Sequence, residues 1–226
     1  MQNHNFTIVN TDTDSISFCK SDQSFISPEE EKYLINEINS LMPEHIKFDS
    51  EGVFQKVIVI KAKNYLLYDG NKLKIKGSAL KATTKCPALK QLIKDILQAV
   101  LDDKDNFKEI YDNYAKEILD IKDMSRWCSR VTITDKMLKN TRKNEVVKRD
   151  ALAGSEYREG DRCYMFYKSD NTMSLLENFN GDYNIDRLLE NLYTTMEVFS
   201  PIMDMTQFPN YKLKKNKPLL EELRRK

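Results

Sequence analysis

The chain has 226 residues, 40% of them hydrophobic and 31% charged, which is enough to bury a core in one large or two small domains. Its four dispersed cysteines and two histidines disfavour a zinc cluster, a dense disulfide framework and a serine–histidine–aspartate hydrolase. No apolar run approaches the roughly 18 residues of a membrane span, and no signal peptide is evident. We therefore expect reduced thiols and a cytoplasmic protein.

The net charge of +1 hides a strong segregation of charge along the chain. Residues 55–90 carry nine lysines against one acid, and residues 121–150 carry nine basic residues against four acids. The segment between them, residues 95–120, is acidic. For any single lysine a solvated surface role is the simpler interpretation, but such blocks favour contact with nucleic acid or phosphate.

The most informative short feature is an acidic turn near the amino end. Residues 6–9 precede it and residues 16–18 follow it, and both runs have the alternation and the branched or aromatic residues typical of strands. The pattern predicts a hairpin with Asp12 and Asp14 at its tip. Two carboxylates on a rigid tip suit Mg²⁺, which prefers oxygen ligands. A plain turn, in which aspartate is simply a favoured residue, is the alternative.

Further along, Ser27 and Pro28 followed by glutamates predict a helix that ends near Met42. Strands are predicted over residues 46–48, 54–60, 65–68 and 73–75, with a tight turn at Asp69-Gly70. In the last of these strands Lys74 and Lys76 occupy one face.

From about residue 82 the pattern changes from strand-rich to helix-rich, which we interpret as a domain boundary. Helices are predicted from Pro87 through Val100, over 105–119 and over 185–205, with a short strand over 160–167. The expected fold class is α+β with an antiparallel sheet in the first part. Trp127, the single tryptophan, is expected in the core.

The order of these motifs resembles the C-terminal part of a family B DNA polymerase. Residues 12–15 (Asp-Thr-Asp-Ser) resemble the family's motif C, in which a tyrosine and a glycine stand where this chain has Asn10 and Thr11. Residues 63–65 resemble its Lys-x-Tyr motif, and residues 76–81 resemble its Lys-Gly motif.

The resemblance implies a division at residue 82. Residues 1–82 would be the C-terminal part of the palm domain, an antiparallel sheet segment with packed helices. Residues 83–226 would be a mainly helical thumb domain. Residues 132–134 through 160–162 resemble its small β-rich insertion, and residues 183–202 resemble its closing helix.

The chemistry implied by the resemblance is nucleotidyl transfer from deoxynucleoside triphosphates onto primer-template DNA, with two Mg²⁺ ions. Asp14 would be a direct metal ligand, and Asp12 a second, weaker or water-mediated one. The family's exonuclease domain, motif A carboxylate and fingers all precede motif C. The chain therefore resembles the small half of a split, phage-like polymerase, inactive without an N-terminal chain that carries those parts. It would act in the cytoplasm, or in the host cytoplasm if viral.

The resemblance also implies contacts with DNA, which in the first part would hold the primer end and the duplex behind the site. These residues are Lys61, Lys63, Tyr65, Lys74, Lys76, Gly77 and Lys81. In the second part, cations would wrap the product duplex without reading its sequence. These are Arg126, Arg130, Lys136, Lys139, Arg142 and Lys143. Tyr65 as a core aromatic and Gly77 as a plain turn glycine are the alternatives.

Two other functions compete with the polymerase interpretation. One is a non-catalytic duplex DNA-binding fragment or an inactive polymerase remnant. The intact pair Asp12 and Asp14 argues against it, because a pure DNA binder gains nothing from acids beside phosphates. The other is an unrelated carboxylate–metal phosphotransferase, against which the order of the motifs argues.

Overall fold

A computed structural model describes residues 6–12, 14–81, 85–139 and 142–210 of the chain, so that Thr13 of the acidic turn lies outside the described residues. The chain divides into two compact units, Met1–Lys81 and Ala82–Lys226. Every sheet in the described residues is antiparallel, and helices accompany the sheets in both units. The α+β fold class predicted from the sequence is confirmed.

The first unit contains two small sheets. The predicted amino-terminal hairpin is present, with strands β1 (Phe6–Asp12) and β2 (Ser15–Lys20). The second sheet has three strands in sequence order, β3 (Lys56–Lys61), β4 (Asn64–Tyr68) and β5 (Leu73–Lys76). Three of the four strands predicted after the first helix are thus confirmed, each to within two residues at its ends.

Helix α1 (Pro28–Ser40) begins where the sequence predicts. The Ser27 hydroxyl accepts the backbone N–H of Glu30, and the Glu30 carboxylate accepts the backbone N–H of Ser27, which forms a capping box. Pro28 fills the first position, where its missing N–H costs nothing. A short helix, α2 (Ser78–Lys81), follows β5.

The strand predicted over residues 46–48 is wrong. No strand partner is present there in the described residues, and the backbone of Phe48 is bonded instead by a side chain of α1. Asn39 accepts the Phe48 N–H at 2.6 Å and donates to the Phe48 carbonyl at 2.9 Å. One amide side chain thus satisfies the peptide group that a sheet ladder would otherwise need.

The second unit is built around three helices, α3 (Pro87–Leu101), α4 (Phe107–Leu119) and, after the elements described next, α7 (Ile185–Met196). They pack on one another through fully buried residues at helical spacing. Examples are Leu92, Ile96, Tyr111, Ile118 and Leu192. The helices predicted from Pro87 and over 105–119 are confirmed.

Between α4 and α7 lies a three-stranded sheet with two helices on one face. Its strands are β6 (Ser129–Thr132), β7 (Arg162–Tyr167) and β8 (Met173–Leu175), and its helices are α5 (Asp135–Lys139) and α6 (Lys143–Ala151). They enclose a separate core that includes Ile133, Met137 and Met165. The strand predicted over 160–167 is confirmed. The insertion expected to be β-rich between residues 132 and 162 is flanked by strands β6 and β7, but between them the chain forms the two helices α5 and α6 rather than further strands.

The last predicted helix is correct at its start and too long at its end. α7 ends at Met196, and a 3-10 turn over Glu197–Phe199 leads to Pro201, which has no N–H to continue the helical ladder. Thr195, near the end of the helix, donates its hydroxyl to the carbonyl of Asn191, a bond that tends to bend helices.

Trp127 is buried, as predicted for a core residue, and its indole N–H donates to Glu117 at 2.9 Å. All four cysteines are free thiols, and three of them are buried. Burial raises the pKa of Cys128 to about 11, so this thiol stays protonated at neutral pH. Among the described residues, no helix has both the length and the apolar character that crossing a membrane requires.

The packing of α3 on α4 includes a buried phenol, which gives a pH-dependent prediction. Tyr114 donates to Asp95 at 2.6 Å, and burial first, then this bond, raises the pKa of Tyr114 above its ordinary value near 10. Its stabilising contribution is present below pH 10 and is lost as pH rises, because the folded protein disfavours the phenolate. We expect Tyr114→Phe to cost about 1–2 kcal/mol at neutral pH and to flatten the loss of stability above about pH 10.

Urea unfolding across the alkaline range measures this effect. Tyr164→Phe, at an exposed position, is the matched control and should follow the wild type throughout. Parallel curves for Tyr114→Phe and the wild type would show that Asp95 and Tyr114 do not couple folding to pH.

Candidate active site

Two hairpin turns of the first unit border an open cavity of about 400 Å³. One turn joins β1 to β2 and carries Asp12 and Asp14. The other joins β3 to β4 and carries Lys63. Residues of β4, β5 and the start of α2, together with Glu51 from the segment before β3, complete the lining. All of these elements belong to one unit, and the site is therefore local to the first 81 residues.

Asp12 and Asp14 both line this cavity, as predicted for the tip of the hairpin. Asp12 is the last residue of β1 and pairs with Ser15, the first residue of β2. The Ser15 hydroxyl donates to the Asp12 carbonyl at 3.3 Å. Asp12 is partly buried and Asp14 is exposed. A short hairpin is a rigid way to hold two like charges at one edge of a cavity.

Lys63 brings a cation to Asp12. It adopts a left-handed backbone conformation, with φ 61°, at the turn between β3 and β4. Its Nζ lies 3.7 Å from a carboxylate oxygen of Asp12. The predicted Lys-x-Tyr motif and the predicted motif C aspartate thus meet in the structure. At this distance and exposure the pair contributes little to stability, but it places a cation beside the carboxylates of the cavity.

Asn64 is a site residue that the sequence prediction missed as such. Its side chain is buried, accepts the backbone N–H of Ala79 at 3.2 Å and donates to the carbonyl of Ala62 at 3.0 Å. It therefore ties the Lys63 turn to the start of α2. A polar residue that begins a strand otherwise rich in buried apolar residues was the signal in the sequence.

Gly77 makes this attachment possible. Its φ of 99° suits glycine, and a Cβ placed on it would lie 2.3 Å from the Lys63 carbonyl oxygen and 2.4 Å from the Asn64 Oδ1. The backbone of β5 could not approach the β3–β4 turn so closely with any other residue. Gly77 is thus more than a plain turn glycine: it is required for a close approach within the chain.

Lys76 and Glu51 form the second ion pair of the cavity, at 2.6 Å. The hydrogen bond to Glu51 raises the pKa of Lys76, with a smaller contribution from Asp12, so the lysine stays charged. Lys74 lies over the ring of Phe54 and donates to the carbonyl of Glu51 at 3.5 Å. Glu51 was not predicted as a site residue. Its position just before the lysine-rich block was its only signal in the sequence.

The remaining predicted residues of this unit divide into two groups. Tyr65 is buried in β4 yet borders the cavity, directly opposite Lys76 in the sheet. Lys61 and Lys81 are exposed and make no ion pair with the described residues. These two lysines therefore retain an uncompensated charge.

The predicted DNA-binding cations of the second unit also divide into those that form an ion pair and those that do not. Arg126 donates twice to Glu117, at 2.9 and 3.1 Å, and Lys139 pairs with Asp135 at 2.7 Å. Arg142 stands at the start of α6. Three further cations are exposed without an ion pair to any described residue. They are Arg130, Lys136 and Lys143.

The carboxylate ligands present in the cavity are of the kind that Mg²⁺ prefers, but they are too few to hold the ion by themselves. Asp12 and Asp14 offer hard oxygen ligands at one edge of the cavity. Glu51, the third acid of the lining, is engaged by Lys76. Over the described residues, no group of three or more His, Cys, Asp or Glu is placed to hold a metal ion. The cavity therefore presents two carboxylates besides the one that Lys76 engages.

Comparison with known proteins identifies the family. The family model for DNA polymerase family B matches residues 1–218, which is almost the whole chain. The chain belongs to this family, and the resemblance inferred from the acidic turn and the lysine motifs is confirmed at that level.

One solved structure illustrates the shared fold. The family B DNA polymerase from the hyperthermophilic archaeon Pyrobaculum calidifontis superposes with a TM-score of 0.62 at 14% identity. The match covers 90% of this chain and 28% of that polymerase, so the chain spans little more than a quarter of its length. No curated protein matches the chain in sequence.

The close approach at Gly77 yields a prediction about the stability of the site. We expect Gly77→Ala to destabilise the protein by about 3 kcal/mol, because it combines a disfavoured φ with an overlap against backbone. Urea unfolding measures the loss. Gly52→Ala is the matched control: its φ is 116° and its Cβ would make only an ordinary contact, at 3.9 Å, so it should cost about 1 kcal/mol. Equal losses in the two variants would contradict the proposed close packing.

Proposed function

We propose that this chain supplies one part of the active site of a family B DNA polymerase, and that carboxylates outside these 226 residues complete it. The observation that carries the proposal is the meeting of Asp12 and Asp14 with Lys63 at one cavity, within a chain that belongs to the family. The substrates would be primer-template DNA and deoxynucleoside triphosphates. The free thiols agree with a cytoplasmic protein, in the host cytoplasm if the source is viral.

The proposed roles follow from the charges around the cavity. Asp14, the more exposed acid, would be a direct ligand for Mg²⁺, and Asp12, already close to Lys63, would be the weaker one. Bound Mg²⁺ would activate the primer 3′ oxygen and neutralise the triphosphate. Lys63 would then move from Asp12 to a phosphate of the primer end, for which its exposed side chain has the reach.

The grip on the duplex would come mainly from cations that no acid compensates. In the first unit these are Lys61 and Lys81, with Lys74, Lys76, Tyr65 and Gly77 shaping the surface between them and the cavity. In the second unit they are Arg130, Lys136 and Lys143, whereas Arg126 and Lys139 would first have to leave an acid. Arg142, at the start of α6, would be a further contact.

The apolar side of the β1–β2 hairpin supports a further polypeptide segment as the completing element. The strand register puts Ile8 opposite Phe18, and Ile16 opposite Thr11, on the face away from Asp12. Ile8 is 54% exposed and Ile16 is 42% exposed. A hairpin that exposes an apolar face is only marginally stable by itself. The completing segment, in a separate N-terminal chain or in the same longer one, would cover this face and add the motif A carboxylate, the fingers and the exonuclease domain.

The metal role of Asp14 can be tested by reconstitution. The chain is combined with a polypeptide that carries the missing parts of the family, and primer extension is measured with Mg²⁺. We expect Asp14→Asn, which keeps the shape and removes the charge, to lower the rate at least a hundredfold, on the order of several kcal/mol of lost transition-state stabilisation. Asp49→Asn, exposed and outside the cavity lining, is the control. Extension at the wild-type rate by Asp14→Asn would exclude the role.

The apolar face gives an independent prediction. Replacing both Ile8 and Ile16 by serine should weaken association with the completing polypeptide by about tenfold or more, since two partly exposed apolar side chains no longer become buried. Analytical ultracentrifugation or titration calorimetry measures the affinity. Leu138→Ser, at a similarly exposed leucine of the second unit, is the control and should bind as the wild type does. Unchanged association of the double variant would show that this face is not the interface.

A further inference from the structure

One part of the sheet of the second unit presents an exposed tyrosine with two arginines beside it. In β6 and β7, Arg130 lies directly opposite Tyr164, and Arg162 precedes Tyr164 by two residues on the same strand. Directly opposed residues share a face, as do residues two apart along a strand, so all three side chains leave the sheet on one side. The other side carries Cys163 and Met165 into the core beneath α5 and α6.

The three side chains of this Arg–Tyr–Arg face are available to a ligand. Tyr164 is 42% exposed, and both arginines are exposed. Neither arginine forms an ion pair with a described residue. The nearest acids in the sequence are used elsewhere: Asp161 accepts the backbone N–H of Arg158 at 2.8 Å, and Glu159 accepts that of Asp135 at 3.2 Å.

The neighbouring arginines differ from this pair. Arg126 is held by Glu117, and Arg187 lies over the ring of Tyr167, 3.5 Å from its centroid. Arg126 is thus neutralised and Arg187 is packed on a ring, whereas Arg130 and Arg162 are open beside an exposed ring. Arg162 and Tyr164 belong to neither the cavity nor the cations inferred from the sequence.

We propose that the Arg–Tyr–Arg face of β6 and β7 binds single-stranded DNA, with the tyrosine ring stacked on a base and the two arginines on the flanking phosphates. An exposed ring favours a single strand because only unpaired bases offer their flat faces for stacking, whereas a duplex offers phosphates and groove edges. The arginines would contribute a sequence-independent, salt-sensitive part of the affinity. The inference rests on the proposed function only in the choice of DNA as the nucleic acid.

Binding of the full chain to a labelled oligo(dT), and to a duplex of equal length, tests the proposal by fluorescence anisotropy. Tyr164→Ala should weaken binding to oligo(dT) at least about fivefold, the effect of losing one stacked base, and should leave duplex binding unchanged. Tyr164→Phe keeps the ring and should bind as the wild type does. The Arg130→Ala, Arg162→Ala double variant should reduce the slope of log K against log salt by about 1.4 for oligo(dT).

Two controls match these changes. Arg158→Ala removes an exposed arginine from the loop before β7, and Tyr33→Ala removes an exposed tyrosine from α1, and neither should alter the oligo(dT) affinity by as much. Each variant must unfold in urea with the wild-type midpoint. Wild-type affinity of folded Tyr164→Ala for oligo(dT), or an equal loss on duplex and single strand, would overturn the proposal.

The proposed polymerase function and this single-strand site can be tested independently of each other. Asp14→Asn leaves the second unit untouched and should bind oligo(dT) with wild-type affinity while it loses extension. If the reconstituted enzyme proves inactive yet Tyr164→Ala still loses oligo(dT) binding, the single-strand site stands without the catalytic one.

Discussion

The close packing of Gly77 against the turn between β3 and β4 is the constraint on which the candidate site depends. The absence of a side chain at Gly77 lets the Asn64 amide reach the start of α2, and Asn64 in turn fixes the turn that carries Lys63. Lys63 can then stand beside Asp12. The arrangement is built from short-range backbone contacts rather than from a large core. A single methyl group at the glycine would therefore disturb the cation at the carboxylates without touching either aspartate.

Charge counted along a sequence and charge available to a polyanion are different quantities. The two lysine- and arginine-rich segments have a large formal excess of positive charge. Part of this charge is neutralised within the protein by ion pairs with Glu51, Glu117 and Asp135. Exposed ion pairs contribute little to stability, so such pairs can be exchanged for phosphates at low cost. Cations without a partner break no ion pair on binding and should dominate the salt dependence. Fewer cations are thus available to a polyanion than the sequence suggests, and in the second unit some of them lie on a sheet.

Local patterns allowed much of the fold and of the site to be predicted. Three signals depend on only a few neighbouring residues, so each could be predicted directly from the sequence: Ser27 and Pro28 at the start of α1, Pro87 at the start of α3, and the apolar alternation around Asp12. The strand expected at residues 46–48 failed because a distant side chain, that of Asn39, satisfies the backbone there. Asn64 and Glu51 were missed for the same reason. Their importance comes from neighbours that only the folded chain brings close, and no spacing rule encodes such neighbours.

The first unit buries far less than the second, and this difference bears on the proposed function. Among the described residues, its buried apolar side chains are Leu34, Ile60, Tyr65, Leu66, Leu67 and Leu80, whereas the second unit buries three packed helices and a second cluster. A segment that covers Ile8 and Ile16 would stabilise the hairpin by mass action as well as supply the missing carboxylate. Stabilisation of the catalytic tip and completion of the metal site would then be one event. The hairpin holds Asp12 and Asp14 at the cavity already in the isolated chain, but they would bind the metal productively only when the further carboxylate is added, and this requirement would keep an isolated chain from acting on nucleotides.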